Sequence, residues 1–190
     1  MFYFKRLPLA DFQDLSGRAT SILKLKERVS LKRVVLCQDG EDLVVGSSTG
    51  RLLRLEVNEE NLPVMGRNAQ GPVLLRLLPG ENVIGAAQVK AEGNVLLASR
   101  SGQLKLLRMD RLRRCQRGAI GQITMQFSLR SDALIDLCED QSPVMAALLS
   151  DGRSLRLTTG ELQAEEDTSS GQQLDIGTRG NLIELIPLLS

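Results

Sequence analysis

A pattern that recurs about every 50 residues constrains this 190-residue chain more than any other feature of its sequence. Each copy has an apolar run, a short polar step that ends in glycine, and a second run in which a basic residue stands among leucines. The copies occupy residues 42–55, 94–107 and 144–157, and their anchoring glycines, Gly50, Gly102 and Gly152, are 52 and 50 residues apart. A period of this length is typical of proteins that repeat one supersecondary unit.

Each copy predicts a β-hairpin. The first run, such as residues 42–46, lacks the polar gaps of an amphipathic helix and fits a strand buried on both faces. The glycine at the turn supplies the positive φ that a tight hairpin requires. In the return run, Arg54, Lys105 and Arg156 recur among leucines, which predicts a strand with one solvent-facing side.

A glycine-flanked turn follows each hairpin. Clear copies stand at 66–71 and 116–121, and degenerate copies at 17–22 and 178–181. An alternating stretch and another apolar strand come next, so that each unit has about four strands. We therefore predict an all-β fold, a propeller-like ring of about four four-stranded blades, with repeat units at 1–41, 42–93, 94–143 and 144–190. A helix over 104–112 is the alternative, which the repeat and the glycine spacing argue against.

Composition argues against several classes of function. Histidine is absent, which removes the commonest general base and metal ligand, and no phosphate-binding P-loop is present. We expect no catalytic residue, metal or cofactor. The three cysteines, Cys37, Cys115 and Cys138, are scattered, which predicts buried free thiols in a reducing cytosol. No apolar run reaches the roughly 20 residues that span a bilayer, so we expect a soluble chain without a membrane partner.

Charge is distributed unevenly although the net charge is only +1. Residues 1–38 carry eight Lys/Arg against three Asp/Glu, and residues 158–190 carry one Arg against six Asp/Glu. Such asymmetry favours a polyanionic partner or a tail that masks the basic end. Mixed charge on solvated strands explains the same counts equally well.

Two segments of the sequence carry a family resemblance. The unit Gly-Arg-Asn-Ala-Gln-Gly-Pro-Val-Leu-Leu-Arg-Leu at 66–77 and the opening Lys-Arg-Leu-Pro-Leu-Ala-Asp-Phe at 5–12 resemble the repeats of the C-terminal domain of the DNA gyrase and topoisomerase IV A subunits. The resemblance implies one β-pinwheel domain over 1–190 that bends duplex DNA around a basic outer rim without doing chemistry. Its implied partners are the ATPase B subunit together with the rest of the A subunit. The resemblance also implies no small-molecule substrate, and a bacterial cytoplasmic, nucleoid-associated location.

The resemblance points to one arginine in each unit. Arg18, Arg67, Arg117 and Arg179 occupy this turn position, with glycines nearby that would leave backbone N–H groups free for phosphate. The alternative is that each arginine pins its own loop to a neighbouring carbonyl. Further DNA contacts are predicted from Lys5, Arg6, Arg111, Arg113 and Arg114. The family's Q-R-R-G-G-K-G wrapping turn is only partly matched by residues 115–121, which predicts incomplete wrapping by this chain alone.

Two other function classes stay open. The chain could be a protein-interaction propeller, or a paralogue of the family that does not bind DNA. The acidic stretch at 161–167 fits a partner-binding face or a tail that competes with DNA for the rim. If the stretch is a tail that competes with DNA, removing residues 161–173 is expected to tighten DNA binding.

Overall fold

The computed structural model describes residues 2–13, 21–66, 68–164, 171–177 and 180–188. Within these ranges the regular structure consists of eleven β-strands and three short 3-10 turns, without an α-helix. The strands are β1 Asp42–Ser47, β2 Arg51–Glu56, β3 Val83–Val89, β4 Asn94–Ser99, β5 Gln103–Arg108, β6 Gln122–Ile123, β7 Leu134–Glu139, β8 Val144–Leu149, β9 Ser154–Thr158, β10 Gln172–Gln173 and β11 Leu182–Pro187. The 3-10 turns are Leu9–Phe12, Met109–Arg111 and Thr159–Glu161. No helix in the described part of the chain is long and apolar enough to cross a membrane.

The strands form three antiparallel sheets. Their orders are β3-β1-β2-β6, β10-β5-β4-β7 and β11-β8-β9. The first two sheets each take an outer strand from the repeat that follows, because β6 pairs with β2 and β10 pairs with β5. The all-β, propeller-like architecture predicted from the repeat is therefore confirmed, and successive repeats are joined by exchanged strands.

The predicted hairpins are also confirmed. The three anchoring glycines have φ of +81°, +88° and +87° at Gly50, Gly102 and Gly152, a region that side chains with a Cβ rarely adopt. All six residues of β1 are buried, as the uninterrupted apolar run predicted. The ambiguous stretch at 104–112 is a strand to Arg108 and then a 3-10 turn. A strand followed by a loop was therefore the correct interpretation.

The core lies between neighbouring sheets, so that the strands of the first two sheets bury both faces. On the first sheet, Val44 and Leu52 face the second sheet and pack with Val95 and Leu107. On the second sheet, Leu96 faces the third sheet and belongs to a separate cluster. Two-sided burial explains why these strands read as continuous apolar runs instead of alternating ones.

One expectation about the return strands is wrong. Lys105 is fully buried, with 0% of its surface exposed, and its Nζ donates to the carbonyl of Thr124 at 2.6 Å. Arg54 is also largely covered and is ion-paired with Asp42, whereas Arg156 is exposed as predicted. The cause is the two-residue period of a strand: Arg54 follows its glycine by four residues and Lys105 by three, so they point to opposite faces. Both faces of the first two sheets are covered.

The three cysteines are free thiols, and each is half-buried. The thiols are therefore less buried than the sequence predicted. Burial raises the pKa of Cys37, and it raises the pKa of Cys138 to about 12.

Candidate nucleic-acid interface

The turn at 115–121 lies on the outer edge of the first sheet, where exchanged strand β6 joins it. The Cys115 N–H donates to the Arg54 carbonyl at 2.8 Å, and a parallel bridge joins Arg54 to Arg114. After the turn, β6 pairs antiparallel with the start of β2. The loop is therefore held at both ends by a sheet that belongs to the preceding repeat.

Gly121 is required by this exchange. Its φ is +78°, and a Cβ at this position would lie 2.6 Å from the carbonyl oxygen of Leu52. Gly171 stands in the same relation to Leu104, where the corresponding distance is 2.4 Å. The closing glycine of the turn therefore lets the exchanged strand approach its neighbour, a packing role within the fold.

Three successive backbone N–H groups of the turn, at Arg117, Gly118 and Ala119, are not free, contrary to the expectation from sequence. The Arg117 N–H donates to Asn61 Oδ1 at 3.2 Å, and the Gly118 N–H donates to the Leu74 carbonyl at 2.6 Å. The Ala119 N–H donates to the Gln116 carbonyl at 3.3 Å. These three donors are already used within the protein, so they do not face an anion at this turn.

Several arginine side chains surround the turn and face solvent. Arg111, Arg113 and Arg117 are all exposed. Arg111 lies next to the exchanged strand, because its carbonyl accepts a hydrogen bond from Gln122 Nε2 at 2.9 Å. We call Arg111, Arg113 and Arg117 the rim arginines.

Arg76 belongs to the same edge and was missed in the sequence. Its N–H donates to the Ala119 carbonyl at 2.9 Å, and it is exposed. Arg76 is the charged residue within the alternating stretch 73–77. In the sequence, that alternation was the feature that could have indicated a solvent-facing arginine.

Arg114 has a different environment from the rim arginines. Its Nε donates to Asp42 Oδ1 at 2.7 Å, its Nη2 to Asp42 Oδ2 at 3.3 Å, and Glu56 lies 3.6 Å away. The hydrogen bond from Arg114 to Asp42 raises the pKa of the arginine. Arg114 therefore fastens the loop to the first sheet. This is the role that the sequence analysis gave as the alternative to DNA contact for the turn arginines.

The basic residues near the N-terminus are also engaged. Arg6 pairs with Asp39 and with Glu59 at 3.4 Å, and it donates to the Leu62 carbonyl at 3.2 Å. Only 12% of its side chain is exposed. Lys5 is half-buried and also has an interaction within the protein. Arg18, Arg67 and Arg179 lie outside the described residues, so the turn arginine is described at Arg117 alone.

The acidic stretch has a structural role that the sequence did not reveal. Leu162 packs against the core cluster of the second and third sheets, and Ala164 forms a parallel bridge with Leu106. Strand β10 at 172–173 supplies the outer edge of the second sheet. Deleting residues 161–173 would remove these contacts, so that deletion cannot report on the negative charge alone. Across the described ranges, no group of three acidic or cysteine side chains is arranged to hold a metal ion.

Comparison with known proteins places the chain in a family. Residues 3–38, 41–90 and 93–137 match the family described as DNA gyrase C-terminal domain, beta-propeller. The chain is 30% identical over 142 residues to the A subunit of DNA topoisomerase 4 from Synechocystis sp., a match that covers 70% of this chain and 15% of that protein. It is 24% identical over 183 residues to the A subunit of DNA gyrase from Mycobacterium leprae, covering 95% of this chain and 14% of that protein. The chain thus spans about a seventh of these relatives.

Solved structures agree on the fold. The structure of a DNA gyrase A C-terminal domain superposes with a TM-score of 0.67 at 16% identity, over 80% of this chain and 50% of that one. The C-terminal domain of DNA topoisomerase IV superposes with a TM-score of 0.69 at 15% identity, over 76% of this chain and 46% of that one. With the sheets, the exchanged strands and the matched segments in agreement, this chain belongs to the DNA gyrase C-terminal domain family of β-propellers.

Proposed function

We propose that the edge formed by the turn at 115–121 and strand β6 binds the phosphate backbone of duplex DNA. The observation that carries this proposal is the exposure of the three rim arginines beside one exchanged strand, with Arg76 hydrogen-bonded to the same turn. Arginine forks match phosphate oxygens bidentately. Because the N–H groups of Arg117, Gly118 and Ala119 are used internally, affinity under this proposal rests mainly on the arginine side chains.

This mode of binding gives affinity and bending without reading base sequence. Contacts to phosphate position a protein on the duplex, whereas contacts to base edges specify a sequence. A curved edge that carries one basic turn per repeat would hold successive phosphates along a bent duplex. Arg18, Arg67 and Arg179 supply the corresponding cations of the other repeats under this proposal. Residues 115–121 retain one Arg-Gly pair of the wrapping motif but lack its lysine, so bending by this chain is partial.

The proposed context is the A subunit of a bacterial type IIA topoisomerase. The curated relatives are named as such subunits, and the chain spans only a small part of them. In that context the domain binds a DNA segment and directs it toward the remainder of the A subunit. The remainder, together with the ATPase B subunit, carries out strand passage in the cytoplasm, at the nucleoid. The propeller itself contributes binding without chemistry.

Fluorescence anisotropy with a labelled duplex at about 50 mM salt tests the proposal. The triple variant R111A/R113A/R117A is expected to bind at least roughly tenfold more weakly. The reason is that each arginine removed leaves one phosphate contact unmade, so its counterion stays on the DNA. The matched control is K90A/R130A/R156A, which removes the same charge from exposed positions outside the turn. Equal affinity of the two triple variants would overturn the assignment of this edge. A duplex of unrelated sequence is expected to bind equally well.

A further inference from the structure

Asp136 is a buried acid at which three parts of the chain meet. Its side chain is only 2% exposed, and it lies in β7, at the edge of the second sheet. Arg33 Nη2 donates to Asp136 Oδ1 at 2.8 Å, from a position 103 residues earlier in the chain. The Leu185 N–H of β11 donates to Asp136 Oδ2 at 2.9 Å. One carboxylate therefore joins the segment before β1 to the second and third sheets.

Arg33 is held by a second contact on the same strand. Its Nη1 donates to the Leu137 carbonyl at 3.1 Å, and the Leu137 N–H donates to Asp136 Oδ1 at 2.8 Å. Burial raises the pKa of the Asp136 carboxyl, although the hydrogen bond from the Leu185 N–H and the charge of Arg33 act to lower it. Because the carboxylate is desolvated, these donors hold it in one geometry and water does not replace them.

Arg33 reaches the second sheet past the sheet that lies between them. Val35, two residues after Arg33, packs with Leu43 on one face of the first sheet. Val44 lies on the opposite face, in the cluster that includes Leu137 of β7. The first sheet thus separates the backbone near Arg33 from β7, and the guanidinium spans that separation.

Gly85 leaves room for the Arg33 side chain. It lies in β3, the strand at the edge of the first sheet. A Cβ on Gly85 would lie 3.5 Å from Arg33 Nε and 3.6 Å from its Cδ, which is ordinary van der Waals contact. A branched side chain at this position would meet the guanidinium. Arg33 therefore passes β3 at a residue without a side chain.

These contacts lie where the edges of the sheets converge. Strands β3, β7 and β11 are edge strands of their sheets, and β7 contacts both of the others. The opposite edges of the first two sheets are formed by β6 and β10, the strands exchanged from the following repeat. We call β3, β7 and β11 the inner edges, and β6 and β10 the outer edges. Arg33, Asp136 and the Leu185 N–H together form the inner clamp.

The spacing of the inner edges determines the curvature of the outer ones. Each outer edge is joined to a neighbouring repeat by the backbone hydrogen bonds of an exchanged strand, so its spacing changes little. If the inner edges separate, the sheets become more nearly parallel, and the arc formed by the outer edges flattens. Contacts at the inner edges therefore control the curvature of the array.

We propose that Arg33 and Asp136 are positioning residues that set the angle by which this domain bends DNA. This inference rests on the proposed function, in which the rim arginines beside β6 bind phosphate. The direction in which the duplex leaves each rim contact follows from the curvature that the inner clamp fixes. Neither residue contacts DNA in this role, because Asp136 is buried at the inner edge and Arg33 is bound to it. The clamp thus controls bending, whereas the rim arginines provide affinity.

The variant Arg33→Met tests the clamp in the intact 190-residue chain. Methionine keeps an unbranched apolar side chain and removes the guanidinium. The matched control is Lys32→Met, which removes the same charge from the exposed neighbouring residue. Circular dichroism and thermal melting establish that both variants are folded.

Small-angle X-ray scattering without DNA compares the shapes of the two variants. The radius of gyration, roughly 16 Å for a compact chain of this length, is expected to increase for Arg33→Met and to stay unchanged for Lys32→Met. The physical reason is that the inner edges separate when the guanidinium is lost. Equal radii for the two variants would overturn the role of the clamp in the shape of the array.

Energy transfer between dyes at the two ends of a duplex measures the bend in the complex. Against the 40–90° typical of DNA-bending proteins, Arg33→Met is expected to lose roughly 15° or more of the parent's bend. Its affinity should stay within about twofold of that of Lys32→Met, because the phosphate contacts are unchanged. Equal bends for the two variants would overturn the proposal. A loss of affinity as large as that of R111A/R113A/R117A would also overturn it, since the rim itself would then depend on Arg33.

Variants of Gly85 test the clamp without changing charge. Gly85→Ala places a methyl group in van der Waals contact with Arg33, so the bend and the radius of gyration are expected to match those of the parent. Gly85→Val is expected to displace the guanidinium and to reproduce the smaller bend of Arg33→Met. Equal bends for Gly85→Ala and Gly85→Val would contradict the path of Arg33 past β3.

Failure of the clamp and failure of the proposed function give different results. A parent chain that does not bind duplex DNA would contradict the proposed function, and the scattering of Arg33→Met would still show whether the clamp fixes the shape. A parent chain that binds and bends DNA, with an equal bend for Arg33→Met, would contradict the clamp alone.

Discussion

Arg114 and Asp42 lie 72 residues apart in the sequence, yet Arg114 Nε donates to Asp42 Oδ1 at 2.7 Å. Asp42 is fully buried and also accepts a hydrogen bond from Arg54 at 2.5 Å. One carboxylate thus joins the hairpin of the first sheet to a loop of the next repeat. The sequence made Arg114 a candidate DNA contact, but Asp42 gives it a partner within the protein. Arg113, one residue away, takes part in none of the ion pairs found among the described residues.

The Asp42 carboxylate is expected to contribute more to stability than either arginine. Asp42→Ala removes the buried carboxylate that both guanidinium groups share, and the expected loss is about 3 kcal/mol in the free energy of unfolding. Arg114→Ala should cost about 1 kcal/mol, because 46% of that side chain is exposed and Arg54 still pairs with Asp42. Urea denaturation followed by circular dichroism measures both. Arg113→Ala is the control and should lie within about 0.5 kcal/mol of the parent; equal losses for Asp42→Ala and Arg113→Ala would contradict the arrangement.

Gly118 and Gly121 separate backbone strain from close packing. Both have positive φ, +81° and +78°, but a Cβ on Gly118 meets nothing within 4 Å, whereas one on Gly121 lies 2.6 Å from the Leu52 carbonyl. Gly118→Ala is expected to cost about 1 kcal/mol, the penalty of the left-handed conformation. Gly121→Ala should cost at least about 1 kcal/mol more, because strand β6 must move away from β2.

Hydrogen exchange at β2 distinguishes the two glycine variants by location. Gly121→Ala should raise the exchange rate of amides at the start of β2, and Gly118→Ala should leave them protected. Equal unfolding free energies for the two variants would show that contact between β6 and Leu52 does not limit stability.

Stability is expected to fall in acid through Glu81. Burial alone would raise the pKa of this carboxyl, but hydrogen bonds from Arg51, Thr49 and the Leu78 N–H outweigh it and lower the pKa to about 2. A group whose pKa is lower in the folded state stabilises the fold above its unfolded pKa of 4.5 and loses that effect as pH falls toward 2. Glu81→Gln should therefore be less stable at pH 7 by about 3 kcal/mol and differ little from the parent near pH 2. Thermal melts across this pH range provide the measurement, and a constant difference at all pH values would argue against the assignment.

The acidic stretch can be tested without removing its strand. The variant E161Q/E165Q/E166Q changes the net charge from +1 to +4 and keeps Leu162, Ala164 and β10 in place. If this stretch competes with DNA for the rim, duplex binding should tighten a few-fold at low salt. The control E27Q/E92Q/E184Q makes the same change in net charge elsewhere. Equal tightening in both variants would indicate a general effect of charge.

The salt dependence of DNA binding distinguishes phosphate contacts from a peptide-binding face. For the parent chain, the logarithm of the affinity should fall linearly with the logarithm of salt concentration between about 50 and 200 mM. Removing the three rim arginines should reduce that slope by about 3, since each phosphate contact contributes about 0.9. A slope that is unchanged by R111A/R113A/R117A would place the DNA elsewhere on the molecule.

The sequence by itself determined the kind of fold. Uninterrupted apolar runs that lead to Gly50, Gly102 and Gly152 favour strands joined by tight turns, and this local chemistry is visible without coordinates. The period of about 50 residues then required stacked units. The family resemblance came from the same repeated glycines and arginines.

Only the tertiary structure decided which charges are available. Arg114 and Lys105 look like solvent-exposed cations in the sequence, but the first meets Asp42 and the second is enclosed between neighbouring sheets. Asp42 comes from the preceding repeat, and Thr124, which accepts the hydrogen bond from Lys105, directly follows the exchanged strand β6. A one-residue shift in the register of these strands would give both cations other surroundings. The physical reason is that hydrophobic pattern and turn chemistry are local, whereas burial of a charge depends on which distant segment packs over it.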